Sequence, residues 1–316
     1  MYVVLFFVFA FLTVFLSIKL SYYSDILSNS SKVNKAFIGG ILLAGITSLP
    51  EFVTSISATF FGNPNLAIGD ILGSNFFNIF MVSFFDIFFI GKMMFNKTSK
   101  DHFIVYILLL VNYIFIFLYF SGLFSIKFFN IGFPSLIIFI TYFYYLFSVS
   151  KREDNGKKED IPIGFLVLKL IVVAIFMIFS SIMLTFVVNK IAVMYPSFSS
   201  SLIGAILLGV TTSLPEVITF YTLFRLNNYD LALSNIIGSN LFNLLVLSVS
   251  DVIYRVNSIY SFSDGDAFLI LILGFVTMFI SLMGNVFYRK NKFVYVIPSL
   301  LIVFIYVIFW VFKFVV

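Results

Sequence analysis

Two glutamates end the same five-residue motif at two places in the chain. The motif Thr-Ser-Leu-Pro-Glu ends at Glu51 and again at Glu216, each time deep within a long apolar segment. A carboxylate inside a membrane span costs at least about 2.5 kcal/mol, so it is a functional candidate by default. Because both copies keep the same neighbours, a shared binding role is favoured over two loop carboxylates at misplaced helix ends.

A proline stands directly before each glutamate. Pro50 and Pro215 lack an N–H and, within a helix, clash with the carbonyl four residues earlier. We therefore expect free carbonyls near Thr47 and Thr212, and in lipid such groups need a partner. A bound cation would be one partner. The alternative is a simple kink that neighbouring side chains satisfy.

Hydroxyl side chains accompany both glutamates. Those three and four residues before each glutamate lie on its helix face, and they are Thr47, Ser48, Thr212 and Ser213. Carboxylate, hydroxyl and carbonyl oxygens are hard ligands that suit Na⁺, Ca²⁺ or Mg²⁺. The chain has no cysteine and one histidine, which excludes Cys-based and His-rich metal sites. We interpret that residue, His102, as a solvated loop residue.

A second duplicated motif, Gly-Ser-Asn-x-x-Asn, follows each glutamate. It places Ser74 one helical turn before Asn78, and Ser239 one turn before Asn243. Each of these later asparagines lies 27 residues after its glutamate. This recurrence favours a place in the site, although Ser and Asn also join membrane helices to one another.

Four further polar residues recur in the same segments. Asn75 and Asn240 fall on another helix face, where hydrogen bonding between helices is at least as good an interpretation as a site role. Asp86 and Asp251 lie near predicted helix ends, which favours a structural role at the membrane interface.

Other residues of the first copy are harder to assign. Asp70, whose counterpart is Asn235, either lines an external vestibule or caps the start of its helix. Gly69 and Gly73 are four residues apart, and we expect them to let the predicted third helix approach the second.

The two motifs belong to one long internal repeat. Residues 38–86 align with residues 203–251 at a constant offset of 165, and 22 of the 49 aligned pairs are identical. The identities include Pro-Glu and Gly-Ser-Asn, which a chance similarity of apolar helices would not match.

Composition indicates an all-α membrane protein. The chain of 316 residues is 61% hydrophobic and 10% charged, whereas a soluble domain carries about 25% charged residues. Ten apolar segments are long enough to span a bilayer, at about 2–18, 37–60, 66–90, 103–121, 128–149, 162–188, 200–224, 230–253, 266–286 and 294–314.

One strongly polar stretch, residues 151–160, divides these spans into two halves. We predict a first five-helix half at 1–150, a cytoplasmic linker at 151–161 and a second five-helix half at 162–316. Their repeat copies span about 38–86 and 203–251. Because five is an odd number, the second copy must be inverted in the membrane, a pattern typical of secondary transporters.

The basic residues orient these spans. Of the 19 Lys and Arg residues, only Lys127, Lys190, Arg255 and Lys313 fall on the predicted outer side, and Lys169 lies within a span. This bias predicts extracellular termini and a multi-pass protein of the plasma membrane. It also explains the net charge of +5 without nucleic acid. The first apolar segment has no preceding basic residue, so we expect a retained helix rather than a signal peptide.

These motifs resemble those of the cation/Ca²⁺ exchanger superfamily, in particular its prokaryotic sodium/calcium exchangers. The resemblance covers both repeats and the ten-helix plan. It implies that Glu51 and Glu216 bind Ca²⁺ together with the carbonyls of Thr47 and Thr212. It also implies that the same glutamates alternatively bind Na⁺.

The resemblance extends the ligand set in each half. For Na⁺ it implies Ala44, Thr47, Ser48 and Ser74 in the first half, and Gly209, Thr212, Ser213 and Ser239 in the second. Asn78 and Asn243 would form the middle of the ion cluster. The expected partners are the lipid bilayer and the transported Ca²⁺ and Na⁺, with no cofactor and no obligatory protein partner evident.

The expected activity is antiport, since two carboxylates neutralise one Ca²⁺ or two Na⁺ and the two ions compete for the same oxygens. A proton-coupled or K⁺-dependent antiporter using the same site is the first alternative. Proton-coupled relatives usually carry Gly-Asn-Ala before the glutamate, and this chain does not. A passive channel fits the inverted repeat poorly, and an enzyme is not expected because no hydrolytic motif is present.

Overall fold

The computed structural model describes residues 1–28, 43–150, 163–287 and 290–315, and this part of the chain is almost entirely helical. Within these described residues, six helices precede the polar linker: α1 (Tyr2–Ser28), α2 (Leu43–Thr47), α3 (Leu49–Phe60), α4 (Pro64–Phe88), α5 (His102–Phe120) and α6 (Phe133–Ser150). In the described part of the second half, seven follow it: α7 (Ile163–Met194), α8 (Ser200–Ile203), α9 (Val210–Thr212), α10 (Leu214–Arg225), α11 (Tyr229–Ile253), α12 (Gly265–Val286) and α13 (Lys292–Val315).

Short elements connect these helices. A π-helical segment, Gly204–Gly209, joins α8 to α9, and 3₁₀ turns occupy Ile90–Lys92, Met94–Asn96 and Ile259–Phe262. Strands β1 (Lys127–Phe128) and β2 (Ile131–Gly132) pair antiparallel just before α6. Because residues 127–132 form this hairpin, the helix within the fifth predicted span, 128–149, begins only at Phe133.

Seven of the described helices are long and apolar enough to cross a membrane: α1, α4, α5, α7, α11, α12 and α13. Residues 200–212 and α10 meet at a bend of 43° and form an eighth candidate if they count as one span. The prediction of an all-helical membrane protein is therefore confirmed. Of the other two predicted spans, 37–60 begins outside the described residues and 128–149 contains the shorter α6. The count of ten stays a prediction.

The least apolar of these long helices are the most enclosed. Helices α4 and α11 carry the Gly-Ser-Asn motifs, and the Ser and Asn side chains of these motifs are buried. Phe-rich faces of α1, α7 and α13 instead point outward, where hydrocarbon tails would cover them. Polar groups inside a membrane must be satisfied by protein, so α4 and α11 take the centre.

Helix α4 makes backbone contact with the second half through two glycines. A Cβ on Gly69 would lie 2.0 Å from the carbonyl oxygen of Ser201, and one on Gly73 would lie 2.4 Å from the Cα of Ala205. The prediction that these glycines face the predicted second helix is therefore wrong. They admit the α8 region instead, because the two halves interlock around α4.

Helices α1 and α7 pack along each other at the edge of the molecule. Thr13 Oγ1 and Ser180 Oγ lie 2.7 Å apart, and Ser180 also donates to the carbonyl of Phe9 at 3.2 Å. On α7 the ammonium of Lys169 lies 4.4 Å from the ring centre of Phe165. Lys169 therefore makes a cation–π contact with an aromatic ring one turn earlier on its own helix.

Asp86 and Asp251 anchor helix ends, as predicted. Asp86 accepts hydrogen bonds from Tyr295 and, at 2.7 Å, from Ser299 of α13. Asp251 accepts from Ser135 of α6 at 2.7 Å. Both carboxylates are buried, and each ties a motif helix to a helix outside the repeat segments.

The only histidine is not the solvated loop residue that the sequence suggested. His102 is buried at the start of α5, and its Nε2 lies 3.1 Å from Asp230 Oδ1 at the start of α11. The backbone N–H of Ser99 donates to the same carboxylate oxygen. The error arose because a polar loop sequence does not reveal which loops pack against a neighbouring helix.

Candidate functional site

Both glutamates lie just after a break in their helices. Helix α2 ends at Thr47 and α3 begins at Leu49, while α9 ends at Thr212 and α10 begins at Leu214. Pro50 and Pro215 occupy the first turns of α3 and α10, as the missing proline N–H requires. Each break places its glutamate side chain, fully buried, in the middle of the helical core.

A crossed pair of hydrogen bonds links the two breaks. Ser48 Oγ donates to Glu216 Oε1 at 2.9 Å, and Ser213 Oγ donates to Glu51 Oε1 at 3.2 Å. Each serine precedes its own glutamate by three residues but serves the glutamate of the other repeat. The sequence placed these four residues in one site, and the structure brings them together.

A second crossed arrangement joins α4 to α11. Asn75 Nδ2 donates to the carbonyl of Asn240 at 3.1 Å, and Asn240 Nδ2 donates to the carbonyl of Asn75 at 3.2 Å. Their side-chain oxygens in turn accept from the next asparagines, with Asn78 donating to Asn240 at 2.9 Å and Asn243 to Asn75 at 3.0 Å. Hydrogen bonding between helices is thus confirmed for Asn75 and Asn240.

Four buried oxygens of the centre have no hydrogen-bond partner among the described residues: Glu51 Oε2, Glu216 Oε2, Asn78 Oδ1 and Asn243 Oδ1. Glu51 corresponds to Glu216, and Asn78 to Asn243, at the repeat offset of 165 residues. Buried acceptors are rarely left unpaired. Two carboxylate and two amide oxygens form a donor set that could hold a hard cation.

The structure describes the surroundings of four further predicted ligands, Ser74, Gly209, Thr212 and Ser239. Ser74 Oγ donates to the carbonyl of Gly209 at 3.1 Å, so these two residues from different halves meet. Thr212 Oγ1 donates to the carbonyl of Leu208 at 3.0 Å. The proton of this hydroxyl is therefore engaged, whereas its oxygen lone pairs remain available to a cation. Ser239 Oγ is buried without a partner in the part of the chain that the structure describes.

Two predicted ligands of the first half are less fully defined. Thr47 is buried and ends α2, so its carbonyl lies at the helix break. The backbone of Ala44 belongs to α2, but its side chain lies outside the described residues.

Asp70 has neither of its two predicted roles. The cap of α4 is Asn63, which accepts from the N–H of Leu66 at 3.1 Å. Asp70 lies in the second turn and is fully buried, so it does not line an open vestibule. It accepts hydrogen bonds from Thr54 and Ser55 of α3. Their spacing of three and four residues after the glutamate could have identified both hydroxyls from the sequence.

Within the described residues, no three His, Cys, Asp or Glu side chains cluster as in a conventional protein metal site. The candidate centre combines two carboxylates with neutral amide oxygens. That composition suits weak, exchangeable binding better than permanent retention of a metal.

The chain belongs to the sodium/calcium exchanger protein family, whose model matches residues 1–151 and 165–315. This family consists of membrane exchangers rather than enzymes, and the family resemblance of the two motifs is confirmed.

Among individual relatives, the chain is 28% identical to membrane protein MJ0091 of Methanocaldococcus jannaschii over 69% of this chain and 70% of that protein. It is 24% identical to inner membrane protein YrbG of Escherichia coli, over 75% and 74% of the two chains. It is 28% identical to the putative antiporter CaxA of Alkalimonas amylolytica, over 73% and 74%.

Solved structures share the fold. The H⁺/Ca²⁺ exchanger CAX superposes with a TM-score of 0.67 at 14% identity, covering 96% of this chain and 87% of that one. The sodium-calcium exchanger NCX_Mj soaked in 10 mM Na⁺ without Ca²⁺ superposes with a TM-score of 0.62 at 20% identity, covering 97% and 98%.

Proposed function

We propose that this chain is a secondary-active antiporter that exchanges Na⁺ for Ca²⁺ across the membrane. The observation that carries the proposal is the set of four unpaired buried oxygens from Glu51, Glu216, Asn78 and Asn243. Two carboxylates bring a charge of −2, which one Ca²⁺ or two Na⁺ would neutralise. Because both ions would use the same oxygens, binding of one kind would displace the other.

The wider ligand set follows the same proposal. Hydroxyl and carbonyl oxygens would complete the coordination, from Thr47, Ser48, Ser74 and Ala44 in the first half and Thr212, Ser213, Ser239 and Gly209 in the second. The contact of Ser74 with the Gly209 carbonyl supports a shared centre.

Alternating access would come from motion of α1 and α7 against the core. These two helices pack on each other, and their outer faces are apolar. A lipid-facing pair has few polar contacts to break when it slides. The protein would have ten spans in two inverted five-helix repeats and would lie in the plasma membrane. The inverted repeats would place α1 and α7 symmetrically about the centre.

Calcium uptake into vesicles tests the coupling ion. Purified chain is reconstituted into vesicles loaded with Na⁺, with K⁺ or with buffer at a lower pH, and external Ca²⁺ uptake is followed. We expect rapid uptake only with internal Na⁺, because only that gradient would empty the site on the inner side. Equal uptake with all three loads would contradict antiport.

A proton-coupled exchanger is the alternative function. The fold is compatible with either coupling ion, since it is shared by the H⁺/Ca²⁺ exchanger CAX and by the sodium-calcium exchanger NCX_Mj. Uptake that follows the pH gradient and ignores Na⁺ would support this alternative over Na⁺ coupling.

The proposed orientation has a direct test, because the chain contains no cysteine. We expect Asn155→Cys, in the linker that lies outside the described residues, to react with a membrane-impermeant maleimide only from the cytoplasm. The matched control is Phe129→Cys in the hairpin, where the side chain is 99% exposed, and it should react only from outside. Reaction of both cysteines from one side would contradict the five-helix halves.

A further inference from the structure

Asp70 is a buried carboxylate that the exchange centre leaves unused. One of its oxygens, Oδ2, accepts from Thr54 Oγ1 at 2.5 Å and from Ser55 Oγ at 2.9 Å. The hydroxyl of Thr212, whose proton goes to the carbonyl of Leu208, also lies near this side chain. The other oxygen, Oδ1, is buried and has no hydrogen-bond partner within the part of the chain described.

Acceptor oxygens outnumber protons around this carboxylate. The hydroxyl of Thr54 carries a single proton, yet it lies 2.9 Å from the carbonyl oxygen of Pro50, 3.1 Å from that of Glu51 and 2.5 Å from Asp70 Oδ2. One proton cannot serve three acceptors at full strength. A bound cation would satisfy the surplus oxygens.

Charge points to the same conclusion. The charges of Glu216 and Asp70 both act on Glu51, although the three carboxylates do not converge on one point. The ion pairs among the described residues involve Asp230 and Asp266 instead. A divalent ion would neutralise the two glutamates and leave the third charge uncompensated, which is unfavourable inside a membrane. One monovalent cation beside Asp70 would make the region neutral.

The second half lacks this arrangement. The residues equivalent to Thr54, Ser55 and Asp70 are Thr219, Phe220 and Asn235. The first of these makes the same helical contact, since its hydroxyl donates to the carbonyl of Pro215 at 2.9 Å. With a phenyl ring and an amide in the other two positions, the second half has too few oxygens and no charge.

We propose that Asp70, Thr54 and Ser55, with the carbonyl of Pro50, form a separate site for one monovalent alkali cation, Na⁺ or K⁺, beside the exchange centre. All these ligands are hard oxygens, as such ions require. The proposal goes beyond antiport at the glutamates, and it rests on the proposed function only in assuming that Ca²⁺ occupies them.

Equilibrium binding of radioactive Na⁺ and of Rb⁺, as a substitute for K⁺, to the purified full chain tests this site. At saturating Ca²⁺ the parent should retain one equivalent of alkali cation that Ca²⁺ does not displace. Asp70→Asn installs the amide that the second half already has, and it should lose this equivalent while still binding Ca²⁺. Retention in only one of the two titrations identifies the ion.

A matched pair of valine variants separates binding from folding. Thr54→Val should weaken the retained alkali cation by about tenfold, since it removes one oxygen ligand, whereas Thr219→Val should not change it. A parent without any Ca²⁺-resistant alkali cation, as when a proton neutralises Asp70, would overturn the site. Retention of the cation in Asp70→Asn would do the same. Failure of Ca²⁺ itself to bind would count against the proposed function instead.

Discussion

Replacing either core glutamate by glutamine is expected to reduce Na⁺-driven Ca²⁺ uptake to the level of empty vesicles. Glu51 and Glu216 are fully buried, and one carboxylate oxygen of each has no hydrogen-bond partner among the described residues. In Glu51→Gln or Glu216→Gln a divalent ion would face one negative charge instead of two. An uncompensated buried charge costs about 3–5 kcal/mol, or at least about a hundredfold in affinity. Uptake and direct Ca²⁺ binding measure the effect.

The control makes the same chemical change elsewhere. Glu153→Gln alters a carboxylate of the polar linker, outside the described residues, and should transport like the parent. Expression and the elution profile in detergent should be unchanged in all three variants, because an amide can keep the hydrogen bonds from Ser213 and Ser48. Substantial exchange in either core variant would disprove the two-glutamate site.

Removing one asparagine that contacts no ion in the proposed centre should also weaken Ca²⁺ binding strongly. Asn75 Oδ1 accepts from Asn243 Nδ2 at 3.0 Å, and this bond holds the Asn243 amide, whose oxygen has no partner among the described residues. In Asn75→Ala that amide is free to rotate, and its N–H group would compete for the same position. Loss of such an orienting partner lowers metal affinity by about 10–100-fold, which a Ca²⁺ titration can measure.

A double-mutant cycle distinguishes orientation from a general loss of stability. If Asn75 acts through Asn243, then Asn75→Ala should change Ca²⁺ affinity little once Asn243→Ala is present. Asn112→Ala is the matched control, because Asn112 is buried and accepts from Thr141 between α5 and α6. It should lower the unfolding temperature without changing affinity. Additive losses in the cycle would contradict an orienting role.

Much of the candidate centre followed from local pattern. Two carboxylates cannot recur in apolar segments with identical Pro, Ser and Thr neighbours unless something in the core uses them. Composition likewise required a helical membrane protein, since no other arrangement of these apolar segments satisfies the backbone in lipid. These inferences depend on solvation, which residue types and short spacings report directly.

Partners between distant segments did not follow from spacing. Gly69 and Gly73 were expected to face the neighbouring helix of the same half, but they face Ser201 and Ala205 of the other half. Asp70 was assigned to a vestibule or a cap, and it is buried against α3. A sequence lists which groups need partners, whereas crossing helices decide which partner is within reach.

The sequence by itself determined the membrane class, the duplicated motifs and the chemical types of oxygen that converge. Helical period and hydrophobicity suffice for these because they are properties of short segments. Only the tertiary structure decided that each serine serves the glutamate of the other repeat, and that Asn75 and Asn240 orient the amides of Asn243 and Asn78. Such crossed contacts depend on how two distant segments pack, and a change of one helical turn at the crossing would exchange every partner.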